Sequence, residues 1–310
     1  MLLINNRNTT DPAINLSIEE YCLGNLNPKN DYMLLYIDDP AVIIGKNQNP
    51  FKETDLAYVK KNRIPIFRRI SGGGAVYHDH GNLNFSFITA FGKKGLNEFR
   101  YLLGPVLTTL DRLGVHPKLM DNNTIFIRRK KVSGNAQYTN LKRMLSHGTL
   151  LFDADLTALD RALDSKSDIF NSKAVESSRA CVTNLSGYLK ESIDIQAFRD
   201  RLMAAAKNSF NGLEAYHLSD VAWDAILELA REKYRSWKWN FGSTPSFMVR
   251  NRFIYGSHTL SVGFNITRGM VQHMEFEGGN PGREIVAIFE KKLIGNRYDP
   301  ENLGRLSTSG

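Results

Sequence analysis

Apolar and polar positions recur along this chain with two different periods, and the switches between them divide it into elements. Ala13 to Leu23 reads as a helix, while Tyr32 to Ile37 and Ala41 to Ile44 read as strands separated by the Asp38-Asp39-Pro40 turn. A short helix is expected near Thr54 to Lys61. Pro65 to Ile70 has the character of a strand feeding Gly72-Gly73-Gly74, after which Ala75 to Tyr77 and Leu83 to Ile88 regain strand character. Phe99 to Leu113 is predicted helical, Thr124 to Ile127 a short strand, and Arg143 to Phe152 another, preceded by a polar turn at Tyr138-Thr139-Asn140. Ile195 to Phe210 is a further helix. Val221 to Trp237 reads as one more, with Trp223, Ile226, Leu227, Ala230 and Tyr234 on a single buried face at i, i+3, i+4, i+7 spacing.

Beyond the breaker Phe241-Gly242-Ser243-Thr244-Pro245, alternating segments at Ser246 to Val249, Tyr255 to Phe264 and Met270 to Phe276 predict an antiparallel meander, closed by a helix at Arg283 to Phe289. The class is α+β. The length of 310 residues suits one large domain followed by a small one, divided near 243/244. No repeat or low-complexity segment is present.

Hydrophobic residues at 42% and charged residues at 23% exclude a disordered or collagen-like chain. The formal charge of +8 favours acidic partners without choosing among them. Cys22 and Cys181 are far apart and outside any CxxC spacing, so neither a disulfide framework nor a zinc site is encoded, and a reducing cytoplasm is the natural compartment. The first ten residues do not resemble a signal or transit peptide, and no apolar run approaches the roughly 18 residues that cross a bilayer.

Candidate chemistry concentrates in two stretches. Arg68-Arg69-Ile70-Ser71-Gly72-Gly73-Gly74-Ala75-Val76-Tyr77-His78-Asp79 places two cations before a loop without side chains, an arrangement in which backbone N–H groups approach an anion and guanidinium groups bind its oxygens. A plain turn between strands has the same composition. The loop lacks a Walker A Lys-Ser/Thr ending, and Tyr77 stands where a dinucleotide fingerprint needs its third glycine. The second stretch, Arg128-Arg129-Lys130-Lys131-Val132-Ser133-Gly134-Asn135-Ala136-Gln137, is a basic run that reads as a solvated turn or as a lysine leading into an anion site. The seven histidines form no metal-ligand spacing, although His78 and His147 fall near the two stretches.

Taken together, RRISGGGAVYHDHGN at Arg68 to Asn82 and KVSGNAQ at Lys131 to Gln137 resemble the lipoate-protein ligase family. VIIGKNQNP at Val42 to Pro50, SHGTLLFDADL at Ser146 to Leu156, VTNL at Val182 to Leu185, WKWNFG at Trp237 to Gly242 and KKLIGNRYD at Lys291 to Asp299 extend the resemblance along the chain. It implies a catalytic domain related to biotin protein ligase over residues 1–243, of mixed sheets with flanking helices, and a small α/β accessory domain over 244–310. It implies that ATP activates lipoate or octanoate to an acyl adenylate, releasing pyrophosphate. The acyl group then passes to a lysine of a lipoyl domain, such as those of 2-oxoacid dehydrogenase E2 subunits, or of the glycine-cleavage H protein, without nucleic acid or membrane.

Carried over by position, the resemblance makes Lys131 the catalytic residue. Arg69, Lys131 and the backbone of Gly74, Ala75, Val76 and Tyr77 become ligands of ATP or the adenylate, and Lys131, Ser71, Gly72, Gly73 and His78 become ligands of lipoate. The physical reason for Lys131 is that both half-reactions build negative charge between a carboxylate and the α-phosphate, which one fixed ammonium can bridge. His78, Asp79 and His147 are candidates for the base that frees the acceptor amine. Two departures stand out. Asn123-Thr124 occupies the place of an expected Asn-Asp pair, so the protein ligands of Mg²⁺ are unknown, with Asp121 an alternative if the register shifts. Gly278-Gly279-Asn280-Pro281-Gly282 stands where relatives are more apolar. The rivals are an acyltransferase of the same fold using Cys181 and a basic nucleic-acid-binding protein, the latter leaving the glycine loop unexplained.

Overall fold

The run Tyr32–Ile37 is apolar at nearly every position because helices cover both faces of the strand that it forms. The computed structural model describes residues 1–91, 99–121, 123–164, 169–170, 172–177, 181–255, 258–277 and 282–300. In chain order its elements are β1 (Leu2–Ile4), α1 (Pro12–Asn25), β2 (Tyr32–Ile37), β3 (Ala41–Ile44), α2 (Pro50–Glu53), α3 (Leu56–Lys61), β4 (Ile66–Arg68), β5 (Val76–His78) and β6 (Asn82–Ala90). There follow α4 (Phe99–Arg112), β7 (Lys118–Met120), β8 (Thr124–Ile127), β9 (Lys130–Thr139), β10 (Arg143–Leu151), α5 (Leu156–Ala162), β11 (Ile169–Phe170), α6 (Ile195–Ser209) and β12 (Glu214–Tyr216). Then come α7 (Asp220–Leu229), a π-helical turn (Ala230–Tyr234), α8 (Trp237–Asn240), β13 (Phe247–Tyr255), β14 (His258–Thr267), β15 (Met270–Glu277) and α9 (Arg283–Leu293).

Eight strands form the main sheet in the order β12-β1-β2-β6-β10-β9-β8-β7. Residues two apart on a strand share a face, so Leu34, Ile88 and Leu145 look toward α1 and α7, while Met33, Leu35, Phe85 and Phe87 look toward α4 and α6. A three-stranded sheet, β4-β3-β5, carries the glycine loop between β4 and β5. Asp11, Asp55, Asp155, Asp194 and Ser219 start α1, α3, α5, α6 and α7 by accepting first-turn N–H groups with their side chains.

The last sheet, β11-β13-β14-β15, is the predicted meander with one addition: Ile169 and Phe170 of β11 pair with Val249 and Met248. Its core of Val262, Phe264, Ile266 and Phe289 also takes in Phe51, whose ring packs against Phe241, Phe247 and Tyr298.

Three expectations need correction. The helix from Val221 does not run unbroken to Trp237. Its α-helical part ends at Leu229, and a π-helical turn, one residue wider than an α-turn, aims Tyr234 into the core, where its hydroxyl donates to Glu20. Leu227 is 45% exposed, because the buried line is Trp223, Ile226, Ala230 and Tyr234. Tyr138 and Thr139 are strand residues of β9, and the turn begins at Asn140, whose side-chain oxygen accepts the N–H groups of Lys142 and Arg143. Of the Gly278–Gly282 stretch, residues 278–281 lie outside the described residues.

Candidate active site

The two arginines before the glycine loop point to different tasks, and neither guanidinium is free. Arg68 is fully buried. It donates to the carbonyls of Gly45, Lys46 and Gln48 on one side and to those of Trp239 and Asn240 and to Thr244 Oγ1 on the other, at 2.7–3.2 Å. It is therefore a structural clamp, not an anion ligand, and burial lowers its pKa to about 10. Arg69 reaches back over the loop: Nη2 donates to Gly72 O at 2.7 Å and Gly74 O at 2.8 Å, Nε to Ser71 Oγ at 2.9 Å, and Nη1 to Ile43 O at 3.2 Å. The loop shape follows. Gly73 has φ +92°, a conformation that side chains resist, and a Cβ on Gly45 would stand 2.1 Å from Gly73 O.

Two cavities meet beside this loop. The first, of about 240 Å³, runs past Gly73, Ala75, Val76 and Gly134 to Leu16, Tyr36, His78 and Asn84. The second, of about 170 Å³, is lined by Tyr77, Leu151, Leu159, Leu163 and Val182. Ala75, Val76, Lys131, Gly134, Thr149 and Ser177 line both.

Lys131 stands at this junction because of a β-bulge. Phe126 of β8 faces Lys131 while Ile125 faces Ser133, so Val132 is the extra residue that re-aims the strand. The backbone is pinned as Lys131 N–H donates to Cys181 O (2.8 Å) and Lys131 O accepts from Thr183 N–H (3.0 Å). Its Cε and Nζ lie over Gly134, 3.0 Å from where a Cβ would sit. Among the described residues the ammonium has no hydrogen-bond or ion-pair partner, and burial followed by the nearby Arg69 charge lowers its pKa.

Cross-strand register gives the first cavity its length. Tyr36 pairs with Asn84, Asn84 with Thr149, and Gly148 with Asn135, which brings Gly134 into the same row. From Asn84 on β6 across β10 to Gly134 on β9 is two strand spacings, about 10 Å. An extended eight-carbon acid spans about 9 Å from ordinary C–C bond lengths.

The remaining predicted residues separate into those that line a cavity and those that support it. Gly74, Ala75, Val76 and Tyr77 all line one or both cavities, and Gly73 and His78 line the first. Ser71 and Gly72 line neither: Ser71 is fully buried, its Oγ 2.6 Å from His147 Nε2. His147 Nδ1 is 3.0 Å from Glu19 Oε2, and Glu19 also accepts from the hydroxyls of Tyr36 and Ser86. Burial alone would raise the Glu19 carboxyl, but the His147 charge and the bonds from His147, Ser86 and Tyr36 outweigh it and hold Glu19 below its ordinary value.

Both nitrogens of His147 are thus engaged, and both Asp79 oxygens accept backbone N–H groups, from Gly81 and Asp155. His78 Nδ1 bonds Asp38 at 2.8 Å, and among the described residues its Nε2 has no partner. Glu19, Tyr36, Asn84, Thr149 and Ser177 were not singled out from the sequence. Ser177 accepts from Ala75 N–H and Gln48 Nε2 and donates to Glu53.

Cys181 is exposed and lines neither cavity, and Ser178–Ala180 before it lie outside the described residues. Asn123 and Thr124 line the first cavity, and their side chains bond each other at 3.0 Å. Asp121 is exposed in a turn at φ +49° and lines neither cavity. Among the described residues no cluster of three His, Cys, Asp or Glu groups is placed to hold a metal ion.

A protein-family model described as the lipoyl protein ligase A/B catalytic domain matches residues 11–207. Lipoate-protein ligase LplJ of Bacillus subtilis is 38% identical over 301 residues, covering 96% of this chain and 91% of the relative. Lipoate-protein ligase 1 of Staphylococcus aureus is 37% identical over 303 residues, covering 98% and 92%. Among solved structures, a bipartite lipoate protein ligase from Thermoplasma acidophilum, studied with its E2 lipoyl domain, is 27% identical with a TM-score of 0.68, covering 78% of this chain and 96% of that one. A lipoate-protein ligase A bound with ATP is 26% identical with a TM-score of 0.65, covering 78% and 97%.

Proposed function

We propose a division of labour among the residues of this chain from the premise that it belongs to the lipoyl protein ligase A/B family. The protein is a lipoate-protein ligase: it activates lipoate or octanoate with ATP and passes the acyl group to a lysine of a lipoyl-domain acceptor. The observation that supports the residue roles best is the Lys131 ammonium, which lines both of two adjoining cavities and has no partner among the described residues. The acid lies in the first cavity with its carboxylate toward Lys131, and the nucleotide lies along Gly74–Tyr77 in the second.

A carboxylate oxygen attacks the α-phosphorus, the bond to the β-phosphate bridging oxygen breaks, and pyrophosphate leaves. The acceptor amine then attacks the acyl carbonyl and AMP departs. Lys131 neutralises charge shared by carboxylate and phosphate in both steps, and its partial burial strengthens that interaction. Arg69 acts as a positioning residue through its grip on Gly72 O and Gly74 O. Mg²⁺ arrives as the counterion of the nucleotide's phosphates.

The acceptors are lipoyl domains of 2-oxoacid dehydrogenase E2 subunits and the glycine-cleavage H protein, whose acidity suits a chain of charge +8. No described helix is long and apolar enough to cross a membrane. Two unpaired thiols, Cys22 and Cys181, suit a cytoplasmic enzyme. We divide the chain into a catalytic unit, 1–243, and an accessory unit, 244–310. The separate core of the last sheet supports that boundary, with β11 and Phe51 reaching across it.

Lipoate-dependent ATP–pyrophosphate exchange tests the assignment without an acceptor. The wild type exchanges and Lys131→Ala loses at least about 10²-fold, as expected for one transition-state cation. Full exchange in a folded Lys131→Ala variant would remove Lys131 from catalysis.

A further inference from the structure

Strands β7, β8 and β9 end the main sheet beside the active site, and they bury one face while leaving the other open among the described residues. On the buried face Leu119, Ile125, Ile127 and Val132 pack with Leu102 of α4 and Phe198 of α6. The register sets Lys118 opposite Phe126 and Phe126 opposite Lys131, and likewise Met120 opposite Thr124 and Thr124 opposite Gly134, so all of these share the other face. There Met120 is 49% exposed and Phe126 is partly exposed, and neither joins a hydrophobic core among the described residues. Thr124 and Gly134 line the first cavity and Lys131 lines both, so the open face runs into the site without a break.

The turn from β8 to β9 gives this face a basic rim. Ile127 pairs with Lys130, which leaves a two-residue turn of Arg128 at φ +46° and Arg129 at φ +70°. Left-handed backbone at both positions is what Asn-Gly supplies in a tight hairpin, and a longer side chain resists it. This chain nevertheless places two exposed arginines there, and Tyr188 steadies the first, with Arg128 Cζ 5.7 Å from its ring centroid. Strained backbone that displays charge beside a site points to a use for that charge. Among the described residues Lys118, Arg128 and Arg129 have no carboxylate partner, and from Lys118 to Gly134 the one acidic residue is Asp121, in the opposite turn.

A lysine side chain of ordinary bond lengths reaches about 6 Å from its own backbone, so the surface that carries a target lysine must rest against the rim of the cavities. An uncovered face with an apolar centre and a cationic rim has the make-up of a protein interface, where methionine, phenylalanine and arginine are enriched. Resting on the ligase reading above, we propose that the open face of β7–β9 is the docking surface for the acceptor domain. Met120 and Phe126 meet an apolar spot on the acceptor, and Lys118, Arg128 and Arg129 meet carboxylates around its target lysine. Lys118, on the edge strand, is two strand spacings from the Lys131 strand, about 10 Å, so the whole patch fits beneath one small domain.

The test separates the two half-reactions, because lipoate-dependent ATP–pyrophosphate exchange needs no acceptor. The probe for transfer is a purified apo lipoyl domain of a 2-oxoacid dehydrogenase E2 subunit. Arg128→Asn combined with Arg129→Gly removes both charges and installs the residues that the turn geometry prefers, so the hairpin holds. This double variant is expected to keep exchange within about twofold of wild type and to lose about tenfold in kcat/KM for the lipoyl domain, the low end for electrostatic steering, together with most of the wild type's decline in that constant as salt rises. Met120→Glu, at an exposed position, sets a carboxylate in the centre of the face and is expected to lose about tenfold in the same constant with exchange intact. Unchanged kcat/KM for the lipoyl domain in both variants overturns the docking surface and leaves the ligase reading standing, as does a loss of exchange equal to the loss of transfer. No exchange by the wild type with lipoate or octanoate overturns the ligase reading itself, and the docking surface with it.

Discussion

At the scale of single residues, the site depends on two buried charges handled in opposite ways. Lys131 has no hydrogen-bond or ion-pair partner among the described residues and stands partly buried at the junction of the cavities, where burial and then the Arg69 charge lower its pKa. Glu19 is buried deeper and is fully partnered by His147, Tyr36 and Ser86, so its folded pKa lies below the ordinary 4.5. A carboxylate of that kind contributes stability above its unfolded pKa and loses it as pH falls through the folded value. Glu19→Gln is therefore expected to be less stable than the wild type at pH 7, with the gap narrowing below about pH 4.5. Urea midpoints at a series of pH values read this directly, and a gap independent of pH would show that Glu19 is not ionised in the fold.

At the scale of elements, the glycine loop is shaped by a neighbour rather than by its own sequence. The turn after β3 places Gly45 so close to Gly73 that no side chain fits between them: a Cβ would lie 2.1 Å from Gly73 O, 3.1 Å from Gly73 C and 3.2 Å from Gly72 C. These are backbone atoms and cannot turn away. Gly45→Ala is expected to displace the loop, raising KM for acid and nucleotide about tenfold or more and costing about 1–3 kcal/mol of stability, the usual range for overpacking. Exchange kinetics and a thermal melt read the two effects. Unchanged KM would mean that the loop tolerates a shift of this size. The π-helical turn at Ala230–Tyr234 and the bulge at Val132 work in the same way, each re-aiming one side chain, Tyr234 or Lys131, that a regular element would point elsewhere.

At the scale of the whole molecule, Arg68 joins the segment carrying Gly45, Lys46 and Gln48 to the segment from Trp239 to Thr244 that leads into the last sheet. Its backbone adds two further bonds, accepting from Trp239 Nε1 at 2.6 Å and donating to Asn240 Oδ1 at 2.8 Å. Stretches that resemble one family, VIIGKNQNP, RRISGGG and WKWNFG, are thus one physical bracket. Arg68→Met removes the donors to five carbonyls and one hydroxyl, of which Gly45 O keeps a bond from Gln48 N–H, with an expected loss of about 3–5 kcal/mol, as for breaking a buried charged network. Faster proteolytic release of the C-terminal unit should accompany the lower melting point. A melt within about 1 °C of wild type would show that water replaces the clamp at no cost.

By itself the sequence determined the parts whose physics is local. Caps, breakers and apolar periods place most strands and helices. Contiguous motifs mark Lys131 and Gly74–Tyr77 only through the family that they resemble, because a glycine run and a basic run make plain turns as readily. What lies behind those motifs was decided only by tertiary structure. Glu19 and Glu20 are neighbours in one helix with nothing local to tell them apart, yet one meets His147 and the other Lys233 and Tyr234. Arg68 and Arg69 are adjacent, yet one clamps the chain and the other the loop. Tyr36, Asn84, Thr149 and Gly134 form one row from four strands scattered over more than a hundred residues. Pairing register is a contact between distant segments, so the length of the first cavity comes into being only when the sheet closes.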